Sequence, residues 1–171
     1  MSAVDGVRAS SPMPRAFACF VAADPARVWE ALTDAQNTGA YMYGLSARSS
    51  WEIDAPIEFQ TVGDSALTGR VVCVQPHRRL SYLVQAGPDD PPVYLTWLIR
   101  PSPGGVTIRL HVDEIDYPDD AEEAEDIWLP MLAALQRTLS TTDPAVDPVS
   151  HGLLPDTGLG GPVQRGPTAD T

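Results

Sequence analysis

The sequence contains no lysine. All 11 of its basic side chains are arginine, set against 23 carboxylates, and the formal net charge is -12. A phosphate backbone is gripped by a stripe of basic residues, which this chain does not offer, so nucleic acid is not an expected partner. Acidity of this size keeps a protein soluble and disfavours anionic ligands at long range, unless a local arginine cluster overrides it. Nor does any stretch approach the roughly 20 apolar residues that a membrane span needs. Met1 to Pro14 lacks the basic start and apolar run of a signal peptide, so no membrane insertion and a cytoplasmic location are expected. There are only two cysteines, Cys19 and Cys73, and both sit in apolar segments. That setting suits reduced, buried thiols better than a disulfide framework.

Recognisable catalytic and cofactor motifs are also missing. There is no phosphate-cradling glycine loop, nucleophile elbow or dinucleotide fingerprint. Neither cysteine has a Cys or His at zinc spacing. The acidic run from Asp113 to Asp126 lacks the alternating ligands and central glycine of a calcium loop, and reads as a solvated helix start matched to the helix dipole. No cofactor and no metal are expected.

What is present is enough apolar material, 43% of 171 residues, for one substantial core. Residues 1–14 lack periodicity, and residues 141–171 are rich in Pro, Gly, Asp and Thr, so both read as disordered tails around a domain at 15–140. Phe17, Cys19 and Val21 alternate as in a strand. Asp24-Pro25 then supplies an N-cap and a first helical residue for a short helix from Pro25 to Thr33, burying Val28, Trp29 and Leu32. A second helical turn is expected at Asp34 to Gly39.

From Trp51 onward apolar residues recur at every second position: Trp51 and Ile53, Ile57 and Phe59, Val71 and Cys73, Leu80 to Val84, Leu95 to Ile99, and Ile108 to Val112. Turn residues separate these runs at Ala55-Pro56, Gly63-Asp64, Gln75-Pro76, Gly87 to Pro92 and Pro101 to Gly105. The pattern predicts about six antiparallel strands. A long helix over Asp119 to Leu139 follows, its stripe formed by Ala124, Trp128, Met131 or Leu132, Leu135 and Leu139. Pro130 is awkward in a helix interior, so an irregular start near Glu125 to Pro130, with the cap at Asp126 or Ile127, is expected. The fold class is α+β: a curved antiparallel sheet wrapped around one long C-terminal helix. One helix rarely fills such a space, and a cavity between the two layers is the expected remainder.

Four stretches carry a resemblance: Ala23 to Asp34, Ser50-Trp51, Gly69-Arg70-Val71 through Val74 to Tyr82, and Ile127-Trp128 to Leu135. They resemble the SRPBCC superfamily of START-like and birch-allergen-like proteins, and within it the bacterial AHSA-like branch, named after an activator of a heat-shock chaperone ATPase. The resemblance implies the helix-grip fold. It also implies a range of functions, from lipid carriers and polyketide cyclases to chaperone activators. Family members commonly carry a glycine-led turn where this chain has Asp54-Ala55-Pro56.

Strand alternation decides which side chains can reach a cavity. Thr107, Arg109, His111 and Asp113 fall on the outer face, as do Glu52, Asp54, Glu58 and Gln60, so no paired-carboxylate or histidine site is expected. His77, Arg78 and Arg79 form a basic turn that reads as solvated, and His151 lies in the tail. The inward faces supply aromatics: Trp51, Phe59, Tyr82 and Trp97 from the sheet, Trp128 with Met131 and Leu135 from the helix, and Tyr41 or Tyr43 at the mouth. Such stripes are often simply core. Here they form the candidate binding set, with Tyr82 and the Trp97 indole as orienting hydrogen-bond groups.

The expected function is non-catalytic binding of a small hydrophobic molecule, aromatic, polyketide-like or acyl. One alternative is a cyclase, dehydratase or hydrolase in which Tyr82, Tyr43 or a displaced His111 polarises a carbonyl. The other is an interaction module for a chaperone or another protein. Sheet edges and the long helix are compatible with a homodimer.

Overall fold

Between Arg15 and Glu114 the alternating segments form a single antiparallel sheet of seven strands. They are β1 (Arg15–Val21), β2 (Ser46–Arg48), β3 (Pro56–Gln60), β4 (Ser65–Gln75), β5 (Arg79–Gln85), β6 (Val93–Ser102) and β7 (Gly105–Glu114). Their spatial order is β1-β7-β6-β5-β4-β3-β2. The computed structural model describes residues 15–114 and 121–141. The tails expected at 1–14 and beyond 141, and the acidic residues 115–120, lie outside the described residues.

Register explains the core. Leu80, Trp97, Leu110 and Phe17 stand opposite one another across β5, β6, β7 and β1, and Tyr82, Leu95 and Val112 form the next row. Directly paired residues share a face, so these rows point together toward the helices. The outer face carries the complementary row of Ser81, Thr96 and His111. There the Ser81 and Thr96 hydroxyls are 2.9 Å apart in a hydrogen bond.

Three expectations are corrected. The additional strand, β2, spans only three residues and turns one side chain, Ala47, into the core, too little to show a period. Trp51 and Ile53 do not form a strand: Trp51 and Asp54 have φ of 55° and 67°, and Ile53 is 62% exposed. Finally, the β4 register shifts between Val71 and Cys73, which sets Cys73 opposite Ser81 and Val74 opposite Leu80. The extra residue of this bulge hands the inner face from Cys73 to Val74.

Helix α1 (Pro25–Thr33) starts as its sequence predicts, with the Asp24 carboxylate accepting from Arg27 N at 2.9 Å. Asp34 then ends α1 and caps α2 (Ala35–Tyr41), accepting from Gln36 N at 2.8 Å and Asn37 N at 3.1 Å. Asp34→Ala should therefore cost about 1 kcal/mol, readable as a lower urea midpoint at unchanged m-value.

Helix α3 (Ala121–Thr141) buries Ala124, Met131, Leu132, Leu135 and Leu139. It continues unbroken through Pro130, which is its tenth residue and not part of a first turn. The expected cap at Asp126 or Ile127 is therefore corrected. The whole is the helix-grip arrangement: a curved sheet closed by one long helix.

Candidate ligand cavity

Helix α3 does not sit centrally over the sheet. It lies closest to β1 and α2. Two side chains pin it there: Gln136 Nε2 donates to the Phe20 carbonyl on β1, and the Tyr43 hydroxyl donates to the Ile127 carbonyl. Pro130 has no N–H to give the carbonyl four residues earlier, so α3 is held from outside by Tyr43 in the same turn that lacks one internal bond. Phe59, Val84 and Leu95 on the inner faces of β3, β5 and β6 are buried, and one gap lies beside them near the first half of the helix.

The gap is a cavity of about 300 Å³. Its walls are Met42, Phe59, Leu67, Val84, Val93, Leu95 and Trp128, and its rim is Gln85, Ala86, Asp90 and Pro91 of the β5–β6 connection. The volume is at the lower end of small-molecule sites. Among the described residues of this lining, Asp90 is the only ionisable side chain. Among the described residues, no group of three or more His, Cys, Asp or Glu side chains converges on a metal-sized position.

One polar atom stands out. The indole Nε1 of Trp128 is sealed from solvent and has no hydrogen-bond partner. Leaving a buried donor unsatisfied costs about 1–3 kcal/mol, and such groups are rare enough to call for an explanation.

Behind the cavity stands an aromatic wall. Phe59 meets Tyr82 at 5.8 Å between ring centroids, Tyr82 meets Trp51 at 6.4 Å, and Tyr41 meets Trp97 edge-on at 6.3 Å. Trp97 Nε1 donates to the Tyr82 hydroxyl at 3.0 Å. Burial raises the pKa values of Tyr82 and Tyr41 far above the usual phenol range, and each stays neutral. Burial likewise pushes the Cys19 thiol up to about 11.

The eight candidate residues thus take different places. Phe59 and Trp128 line the cavity. Tyr82 and Trp97 satisfy one another in the core, and Met131 and Leu135 are buried under α3. Trp51 is tied to the end of α1 by a 2.8 Å bond from its Nε1 to the Thr33 carbonyl, which helps hold its left-handed backbone. Tyr43 is 61% exposed and acts as the α3 pin. Sequence reasoning placed Val84 and Leu95 on the inner face but missed their role as cavity walls, together with Met42, Leu67 and Val93. The turn signal from Gly87 to Pro92 marked the loop at the cavity rim without revealing what it borders.

A larger concavity, about 1230 Å³, lies elsewhere, between the α1 start, the β4–β5 turn and the end of β6. Its lining includes His77, Arg78, Arg79 and Arg100 with Asp24, which is already engaged as a cap. His77 has φ of 63° and packs edge-on to Trp29 at 6.1 Å. The smaller cavity is the better site for an apolar molecule because its walls are apolar and it penetrates between sheet and helix.

Solved structures with this fold are numerous. A protein from Mesorhizobium loti, MLL2253, is 20% identical with a TM-score of 0.64, over 77% of this chain and 99% of its own. PFC0360w, an HSP90 activator from Plasmodium falciparum, is 12% identical with a TM-score of 0.61, over 75% and 96%. DynU16, a protein of the dynemicin biosynthetic locus, is 20% identical with a TM-score of 0.64, over 75% of this chain and 47% of its own. At these identities the likeness concerns the fold. No curated protein matches the sequence significantly. A family model does, over residues 22–140. Together with the helix-grip architecture, that match shows that the chain belongs to the activator of Hsp90 ATPase homolog 1-like family.

Proposed function

We propose that this protein binds a small apolar molecule in the cavity between β3 to β6 and α3, without transforming it. The observation that carries the reading is the cavity itself: about 300 Å³ with seven apolar or aromatic walls, between the sheet and α3. Its one ionisable neighbour among the described residues, Asp90, belongs to the rim loop, and the Tyr82 and Trp97 polar groups are engaged with each other. A cyclase or hydrolase would call for a titratable acid, base or nucleophile on the walls, and none of these seven side chains is one, so binding is preferred to catalysis. The family name and the Plasmodium activator motivate a second reading, a chaperone-docking module. That reading predicts that the chain stimulates an Hsp90-type ATPase at low micromolar concentration.

The test is a thermal-shift screen of neutral aromatic and acyl compounds on the full chain, alongside native mass spectrometry and denaturing extraction of whatever copurifies. A saturating ligand at 100 times its Kd adds about 2.7 kcal/mol, a readily measured rise in Tm. Ala86 is exposed at the rim. Ala86→Trp should plug the mouth, lowering ligand affinity at least about tenfold while leaving the ligand-free Tm within about 2 °C, as for other surface substitutions. Absence of any stabilising compound, or undiminished binding by Ala86→Trp, would overturn the reading.

A further inference from the structure

We infer that the open groove between the start of α1, the β4–β5 turn and the end of β6 is a docking surface for an acidic peptide segment of a partner protein, gripped by Arg78, Arg79 and Arg100. The groove shares no lining residue with the cavity beside α3, so the two sites are independent.

The groove gathers cations that have no acidic neighbour of their own. Arg78, Arg79 and Arg100 line it, with His77 beside them. Two arginines elsewhere face carboxylates: Arg70 Nε is 3.9 Å from Asp54, and Arg48 stands directly opposite Glu58 across β2 and β3. Among the described residues, none of the three groove arginines has a carboxylate within ion-pairing distance. Asp24 is the one carboxylate among the described residues of the lining, and its Oδ1 accepts from the Arg27 N–H at the α1 cap. In a chain of net charge -12, arginines collected in this way make a local positive field against the surrounding sign.

The backbone fixes where these charges stand. Pro76 and His77 occupy the middle of a tight turn closed by Arg78 N donating to the Gln75 carbonyl at 3.0 Å, and His77 has the positive φ, 63°, that such a turn asks of its third residue. The Arg78 carbonyl accepts from Ile99 N at 2.9 Å, which fastens the turn to β6. Arg79 pairs with Leu98, and Arg100 lies two residues further along β6 on the same face. Apolar surface from Leu98, Pro76 and Pro25 is interspersed with the cations.

Exposure and charge select the occupant. Arg78 and Arg100 are exposed, and one ion pair at such a position is worth at most about 5-fold in affinity, too little to hold a ligand with a single charge. Several carboxylates along one peptide engage the arginines together, and apolar side chains between them cover Leu98 and the prolines. A long polyanion such as nucleic acid would also meet the acidic remainder of the chain. A short acidic segment with apolar residues between its carboxylates satisfies both conditions.

Fluorescence polarisation on the full chain, with a fluorescein-labelled short peptide alternating glutamate and leucine and with its glutamine counterpart, tests the assignment. The glutamate peptide is expected to bind at least about tenfold tighter than the glutamine one, the sum of two or three such pairs. The double variant Arg78→Gln, Arg100→Gln should lose about tenfold in affinity for it, whereas Arg48→Gln, Arg70→Gln, which removes the same charge elsewhere, should stay within about twofold. Both doubles should keep the parent Tm within about 2 °C. On titration of the parent chain with the glutamate peptide, the backbone amide resonances of His77, Arg78 and Arg100 should shift. No binding of that peptide, equal affinity for both peptides, equal losses in both doubles, tighter binding of a labelled single-stranded oligonucleotide, or resonance shifts confined to the walls of the α3 cavity would overturn the docking surface and leave the cavity reading untouched.

Discussion

Trp97→Ala is expected to cost about 4 kcal/mol, enough to lower Tm by more than about 10 °C or to leave the chain unfolded at 37 °C. Trp97 has 0% exposure and stands in the row of Leu80, Leu110 and Phe17, with Tyr41 edge-on to its ring. Its removal leaves a large void and strips the Tyr82 hydroxyl of its donor at once. Trp97→Phe separates the two effects. It keeps most of the ring volume and loses the N–H, and should cost about half as much. Urea unfolding of both variants checks the ordering. A loss under about 1 kcal/mol for Trp97→Ala would contradict the placement of this residue at the centre of the core.

Gly69→Ala is expected to be nearly as severe for a different reason. A Cβ at Gly69 would fall 1.8 Å from the Leu83 carbonyl oxygen, 2.8 Å from its carbon and 2.9 Å from the Val84 Cα. These are backbone atoms of the neighbouring strand and cannot rotate away, so β4 and β5 must separate where Gly69 pairs with Val84. The cost should be about 3 kcal/mol or more, the upper end of overpacking. Because Leu67 and Val84 are both cavity walls, the variant should also lose ligand-dependent stabilisation at temperatures where it remains folded. Thermal denaturation with and without 2-acetylnaphthalene reads both effects, and a Tm within 2 °C of the parent chain would show that the close strand approach is not required.

How far the sequence reveals this molecule depends on whether a feature has a period. Leu80, Tyr82 and Val84, or Ile108, Leu110 and Val112, announce both strand and face, and Asp24-Pro25 announces a helix start, because each signal repeats or is a local pair with one physical meaning. β2 has three residues and no period to read. The bulge at Val71 to Cys73 shifts the face by a single residue, and nothing in the letters of Val71-Val72-Cys73-Val74 marks where the extra residue falls. Trp51 looks like a strand residue because it is large and apolar, yet its left-handed backbone and bond to Thr33 make it a clamp on the end of α1.

The candidate site was legible in part for the same reason. Facing is visible in sequence, so Phe59 and Trp128 could be named. Register between strands is not, so neither the bond between Trp97 Nε1 and the Tyr82 hydroxyl nor the cavity beside Trp128 could be foreseen. The unpaired Trp128 N–H is a property of its surroundings alone. Tyr43 illustrates the converse: placed at the mouth by its position after α2, it grips the helix whose position shapes the cavity.

The most direct test of the account is where a bound apolar molecule sits. Intermolecular NOEs between a neutral aromatic probe, 2-acetylnaphthalene, and the isotope-labelled full chain should connect the naphthalene ring to Phe59, Leu67, Val84 and Leu95. Saturable binding with NOEs to His77 or Arg100 of the outer groove, and none to these walls, would contradict it.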